Sequence, residues 1–252
     1  MRRAVVICCW GLLSLPALAT EPALASQRDS TITDTAQVYT YRQPSPGGTG
    51  KIYMGREISR VMNHHGASWL DRPTREAEEQ PELLLRSLPL KPTDIVADIG
   101  AGTGYFAFRI SPLLPQGHCL AVDIQPELLD VIQRRIEERG VTNVIPMLGT
   151  AVDPNLPETG VNLVLMVDAY HEFSHPWEMM TAVVRALKPG GLAVLVEFRG
   201  EDPSVKRHRL HKMTEAQARR EMAAVGLNWR ETKDILPQQH VMIFEKVLAP
   251  RK

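Results

Sequence analysis

Val96-Ala97-Asp98-Ile99-Gly100-Ala101-Gly102-Thr103-Gly104-Tyr105-Phe106 is an apolar run that ends in an acid, enters three alternating glycines and leaves into a helix-forming stretch. A buried strand, a tight turn and a helix start follow from that order. Glycine carries no Cβ, so such a turn lets backbone come close to a ligand, and a helix N-terminus offers free N–H donors to it. The stretch reads as a nucleotide-cradling loop, and the glycine spacing narrows which nucleotide.

The dinucleotide fingerprint of dehydrogenases is G-x-G-x-x-G. Here the third glycine comes one residue early, and Tyr105 stands where the dehydrogenase glycine would be. A second acid, Asp123, closes the next apolar run, Leu120-Ala121-Val122, 19 residues beyond Gly104. D-x-G-x-G-x-G followed by an acid at the end of the next strand resembles motif I of the class I S-adenosylmethionine-dependent methyltransferases. Leu187-Lys188-Pro189-Gly190-Gly191-Leu192-Ala193-Val194 is similar to the stretch that enters that family's fifth strand. The resemblance covers roughly residues 93–247.

Downstream, apolar runs and amphipathic stretches alternate. Strands are predicted at Ile95–Asp98, Cys119–Asp123, Val144–Met147, Val161–Val167 and Leu192–Phe198. A crossover helix is predicted at Thr103–Leu114, another from Pro126 to a stop at Gly140, and others at Trp177–Leu187 and Thr214–Val225. Leu227–Ile235 and Val241–Val247 can form a closing antiparallel hairpin. Continuous apolar strands alternating with helices imply a parallel sheet covered on both faces. The fold class is therefore α/β, doubly wound: a mostly parallel seven-stranded sheet with its last strand antiparallel, preceded by an N-terminal helical extension.

The chain divides into a signal peptide (1–25), a polar flexible linker (26–52), a helical extension (53–91) and the sheet domain (92–252). Arg2-Arg3, an apolar run over Ala4–Ala19 and A-x-A sites ending at Ala19 and Ala25 are the marks of an export signal. The expected location is therefore periplasmic or secreted, with a cytoplasmic chain as the alternative. No stable membrane anchor is expected, since Pro16 interrupts a run already too short to span. Cys8 and Cys9 fall in the signal, leaving Cys119 as a small buried hydrophobe. Lysine plus arginine number 29 against 29 acids among 252 residues, a zero formal charge that argues against a general nucleic-acid binder.

The resemblance implies S-adenosylmethionine as cofactor and assigns its contacts residue by residue. Gly100, Gly102 and Gly104 admit its methionine part, and Asp98 orients that loop and reaches the ammonium. Asp123 accepts from both ribose hydroxyls, and Ile124 packs on adenine. The family often has an acid after strand three. Gly149 and Thr150 stand there instead, so the Thr150 hydroxyl is the candidate adenine acceptor. The acceptor site is expected at the end of strand four, Asp168-Ala169-Tyr170-His171-Glu172. His171 is the candidate general base, with Tyr170 or Asp168 orienting the acceptor, a small molecule, or lining the cofactor pocket. Glu197 is a weaker candidate. His64, His65, Trp69 and Arg72 form a candidate lid, and His211-Lys212-Met213 a border of the substrate pocket. No metal is expected. His171 and His175 are four apart and His208 and His211 three apart, but no cysteine or H-E-x-x-H pattern accompanies them, and basic neighbours surround the second pair. The alternatives are an NAD(P)-dependent oxidoreductase and a non-catalytic S-adenosylmethionine-binding protein.

Overall fold

The structure is a computed structural model that describes residues 38–247. The signal peptide and residues 26–37 of the polar segment lie outside the described residues. Among the described residues no helix is long and apolar enough to cross a membrane.

The chain opens with three short strands, β1 (Tyr39–Tyr41), β2 (Gly48–Tyr53) and β3 (Arg56–Ser59), paired as an antiparallel sheet. This corrects the reading of residues 38–52 as linker and of the segment after Tyr53 as helical. Met54 and Gly55 both have positive φ, the geometry of the two-residue turn that joins twisted hairpin strands. Tyr39, Tyr53 and Ile58 from this sheet bury together against Trp177. The apolar spacing of Ile58, Val61 and Met62 looks helical, yet Ile58 belongs to a strand and the other two to the loop after it.

Three short helices follow, α1 (Ala67–Leu70), α2 (Arg75–Glu79) and α3 (Pro81–Ser87). The main sheet then alternates β4 (Ile95–Ile99), α4 (Ala107–Ile110), β5 (His118–Asp123), α5 (Pro126–Arg139), β6 (Val144–Leu148), β7 (Val161–Val167), α6 (Pro176–Ala186) and β8 (Leu187–Arg199). A two-residue strand, β9 (Lys212–Met213), α7 (Glu215–Ala224) and the hairpin β10 (Leu227–Lys233) and β11 (Gln239–Lys246) complete it. The strand order is β10-β11-β8-β7-β4-β5-β6, with β9 paired to β8. β4 through β8 pair in parallel, and β11 runs antiparallel to both β8 and β10. The predicted seven strands and their closing antiparallel strand are present.

Physical chemistry accounts for the elements that position the site. β4 and β7 are apolar without alternation because both faces are covered: Val96, Leu163 and Leu165 pack in one core, and Ala97, Val164 and Met166 in the other. Pro126 stands in the first turn of α5, and Gly140 ends it at φ +63. Thr214 caps α7, its hydroxyl accepting from the Gln217 N–H. The first crossover helix is shorter than the predicted 103–114. Turns carry residues 102–106, and Pro112, which has no N–H for an α-helical bond, diverts the end into a 3-10 turn at Ser111–Leu113. Lys188–Gly191, which precede the strand predicted at Leu192–Phe198, lie inside β8. The pairing steps from Val161↔Leu187 to Leu163↔Leu192, so these residues form an irregular bulge.

Candidate active site

A cavity of about 510 Å³ opens at the carboxyl ends of β4, β5 and β7, where an open parallel sheet places its ligands. One end belongs to the glycine loop. Gly100 and Gly102 line it at φ +78 and +57, and a Cβ on Gly100 would lie 2.7 Å from that of Ala169. Gly104 is not on the wall: a Cβ there would strike Phe108 and Ile132, so this glycine lets the loop pack on α5. The loop N–H groups are also less free than a bare cradle requires. Gly100 and Ala101 both donate to the Val122 carbonyl, and Gly104 to that of Ala101.

Gly102 donates to Asp123 Oδ2 at 2.9 Å, while the Gln125 N–H meets Asp123 Oδ1 at 3.0 Å. Asp123 therefore stands on the cavity wall with its orientation set by backbone donors. Burial raises its pKa and those donors oppose the rise. Asp98 is buried below the wall rather than on it. Burial pushes its pKa up to about 7, Arg75 opposes the shift and Asp123 adds to it. Its Oδ2 has no hydrogen-bond partner. Ile124 lines the cavity and is exposed. Thr150 also lines it, but its hydroxyl accepts from the Val152 and Asp153 N–H groups and donates to the Asp153 carbonyl. A hydroxyl has two lone pairs and one proton, so Thr150 has no capacity left for adenine.

The other end is built by side chains. Asp168 lines the cavity at φ +49, a conformation strained for a non-glycine residue. Its Oδ2 accepts from Gln239 Nε2 at 2.7 Å, its Oδ1 has no partner, and burial beside Glu79 and Glu197 raises its pKa to about 8. His171 is 2% exposed. Its Nδ1 lies 2.6 Å from Glu197 Oε2 and its Nε2 2.9 Å from His211 Nδ1, so both ring nitrogens are engaged. Burial works against charge on His171, yet Glu197, Glu172 and Asp168 together raise its pKa. His211 is pushed down to about 4, by burial first and then by the neighbouring His171 and His208.

Tyr170 departs from the expected role. It is fully buried, points away from the cavity and donates to Glu221 Oε2 at 2.6 Å. Arg56 holds the same glutamate with two 2.9 Å bonds and also reaches the His171 carbonyl at 3.2 Å. The N-terminal sheet thus braces the loop that carries His171.

Of the proposed lid residues, Trp69 lines the cavity, whereas His64, His65 and Arg72 do not. Arg72 stacks on Trp69 from outside, 3.8 Å from the ring centre. Met62 and His64 tie this segment down: the Met62 N–H donates to Glu172 Oε2 at 3.0 Å, its carbonyl accepts from Gln125, and the His64 N–H donates to Gln125 Oε1 at 2.7 Å. Sequence reasoning overlooked Met62, Arg75 and Arg207 on the wall and the pairing of His171 with His211. Nothing in local spacing marks them, because three of the four lie outside any motif and the pairing joins residues 40 positions apart.

Residues 96–191 match the family model described as a methyltransferase domain. An uncharacterized methyltransferase of Bacillus subtilis, YcgJ, is 32% identical over 122 residues, which is 48% of this chain and 47% of that protein. The chain thus spans about half the length of that curated relative. A crystal structure of a SAM-dependent methyltransferase from Aquifex aeolicus superposes with a TM-score of 0.70 at 20% identity, covering 74% of this chain and 100% of that one. The [4+2]-cyclase SpnF also superposes, with a TM-score of 0.59 at 15% identity over 68% of this chain and 80% of its own. The fold is therefore shared with a protein named for another reaction, and activity has to be argued from the site. From β4 onward the strand order is the Rossmann-like fold of these methyltransferase structures, and residues 96–191 carry the methyltransferase-domain match.

Proposed function

We propose that the protein binds S-adenosylmethionine in this cavity and moves its methyl group to a small polar acceptor. The observation that carries the reading is Asp123: an acid at the end of β5, on the cavity wall, bonded to the N–H of Gly102. A carboxylate fixed in this way keeps lone pairs for two adjacent hydroxyls, as a ribose presents. An early third glycine argues for this cofactor over a dinucleotide. Further support comes from the unpartnered Asp98 Oδ2 beneath the loop, a buried acceptor that an ammonium, reached through water, would satisfy.

The cofactor supplies a methyl group already activated on a sulfonium, so the protein's task is alignment. Ile124 offers an apolar face for adenine. Arg75 lines the cavity beside the loop but is already paired with Glu79 at 2.7 Å, so it presents a compensated charge to a ligand there. Thr150 shapes the wall, its hydroxyl lone pairs already taken by the Val152 and Asp153 N–H groups. The acceptor enters against His171, Glu172 and His211, which line the cavity together with Asp168. A cavity of about 510 Å³ is in the range of small-molecule sites.

Calorimetric titration of the full chain with S-adenosylhomocysteine and, separately, with NAD tests the reading. Binding of the first and not the second is expected, followed by transfer of labelled methyl to a member of a small-molecule panel. Absence of S-adenosylhomocysteine binding would overturn it. We also propose that the protein is exported, on the strength of Arg2-Arg3, the apolar run and the A-x-A sites. Cell fractionation with N-terminal sequencing should find a chain starting near Ser26 outside the cytoplasm; a cytoplasmic chain that begins at Met1 would refute export.

A further inference from the structure

The sequence pairs histidines by spacing, His171 with His175 and His208 with His211. Folding pairs them differently. His171 and His211 meet at the acceptor end of the cavity, and Glu172 joins them, so that one donor atom from each lies within 4.8 Å of the others. The three distances are 2.9 Å between His171 Nε2 and His211 Nδ1, and 3.9 Å from Glu172 Oε1 to each nitrogen. A triangle with those sides has its centre about 2.1 Å from every corner. Zinc binds imidazole nitrogen at about 2.0–2.1 Å and carboxylate oxygen at about 2.0–2.2 Å.

We propose that His171, Glu172 and His211 form a binding site for a divalent first-row transition cation, zinc being the probe.

Each donor is held by a group that does not itself face the cation. Glu197 takes His171 Nδ1 at 2.6 Å, which leaves Nε2 as the inward nitrogen. A carboxylate behind a metal-bound histidine is the usual outer support of such sites. The Met62 N–H takes Glu172 Oε2 at 3.0 Å, which leaves Oε1 for the cation. His211 is set by a 3-10 turn, Arg209–His211, anchored where β9 pairs with β8. Two imidazoles, one carboxylate donor and a second carboxylate behind them suit a dication. The donor set of two nitrogens and one oxygen suits zinc, iron, cobalt or nickel rather than magnesium or calcium, which favour oxygen. Three protein donors leave coordination positions open, and all three residues line the cavity. An acceptor carrying oxygen, nitrogen or sulfur donors would meet the cation there.

The site stands apart from the cofactor reading, because neither Asp123 nor the glycine loop contributes a donor. The test uses the full chain, stripped with EDTA and titrated with ZnCl2 against a chromogenic chelator. One equivalent is expected to bind, and H211A and E172Q are each expected to weaken it at least ~10-fold. E197Q is expected to weaken it by ~10- to 100-fold through loss of the support on His171. H175A should match the unaltered chain, which separates the folded pairing from the sequence spacing. Cobalt loading supplies a second readout, a visible absorption band that H211A abolishes. Thermal melts of each variant, together with S-adenosylhomocysteine titrations, report folding and the cofactor end independently. A chain that binds zinc but no S-adenosylhomocysteine would overturn the methyltransferase reading and keep the metal site. Equal zinc binding by H211A, E172Q and the unaltered chain, or no zinc binding by the unaltered chain, would overturn the metal site.

Discussion

The two ends of the cavity are made in different ways. At the glycine-loop end, residues 98–125 supply nearly everything, and the fixed groups are backbone: the Gly102 and Gln125 N–H groups aim Asp123, and the Val122 carbonyl pins the loop. At the histidine end, the parts come from β3, the loop at Met62, the end of β7, the end of β8 and the turn before β9. Backbone geometry follows from local residue types, so the first end tolerates change elsewhere. Side-chain geometry across five segments depends on every one of them. The histidine end should therefore respond to distant substitutions that leave the loop end untouched.

Arg56 gives the largest effect. It lies on the N-terminal sheet, only 10% of its side chain exposed, and pairs with a fully buried Glu221 while holding the His171 carbonyl. Arg56→Met leaves a buried carboxylate without its cation, a loss on the order of 3–5 kcal/mol, read by urea denaturation. Adding Glu221→Leu should recover part of it, since apolar replacement of both partners removes the uncompensated charge. In the fraction that remains folded, S-adenosylhomocysteine affinity should change little. A loss below about 1 kcal/mol would mean that the small sheet does not brace the histidine end.

The converse substitution is Asp123→Ala. It removes the acceptor proposed for two ribose hydroxyls, and hydrogen bonds to a charged group contribute about 1.5–3 kcal/mol each. S-adenosylhomocysteine binding should weaken by ~100-fold or more in calorimetry, while zinc binding at the other end stays intact. Loss of both would show that the two ends are one mechanical unit.

This division also explains what a reader of the sequence can find. The placement of Gly100, Gly102 and Asp123 on the cavity wall is legible because strand, turn and next strand are contiguous and their spacing reflects sheet geometry. Strand order was legible for the same reason: long apolar runs separated by amphipathic helices. Thr150 was misjudged because its hydroxyl is consumed by a turn three residues long, which residue identity alone does not reveal. Tyr170 was misjudged because its direction depends on Glu221 in α7, 51 positions away. The N-terminal strands were misread because Pro, Gly and Ser are common to linkers and to tight antiparallel turns. Pairing between β2 and β3 decides which applies, and pairing is not local.

Gly100→Ala probes the loop end with a smaller expected effect. Its φ is +78 and the new Cβ would stand 2.7 Å from the Ala169 Cβ, so strain and a clash add. Gly140→Ala is the control: φ is +63, but nothing lies within 4 Å of the added atom. The control should cost about 1 kcal/mol for backbone strain, and Gly100→Ala about 1–2 kcal/mol more, because Ala169 is backbone-fixed. Equal losses would mean that the loop yields readily, contrary to a preformed cradle.

The last test is a pH dependence centred on Asp98. Burial raises its folded pKa to about 7, against about 3.9 for a free aspartate. The groups that act on it are Arg75 from α2, Asp123 from β5 and the backbone at Ala107 in α4. Between the two values the folded chain keeps a proton that the unfolded chain has released. Folding stability contributed by this group therefore falls as pH rises from about 4 to about 7, and is level outside that window. The slope is at most about 1.4 kcal/mol per pH unit. Asp98→Asn removes it, so the difference in stability between variant and unaltered chain should move in favour of the variant from pH 5.5 to 7.5. An ammonium near Oδ2 favours the ionised carboxyl and reverses the sign for binding. S-adenosylhomocysteine should bind the unaltered chain more tightly as pH rises through 7, and Asp98→Asn should lack that added dependence. If both chains bind with the same pH profile, the ammonium is held elsewhere, and the unpartnered oxygen beneath the loop belongs to the fold rather than to the ligand.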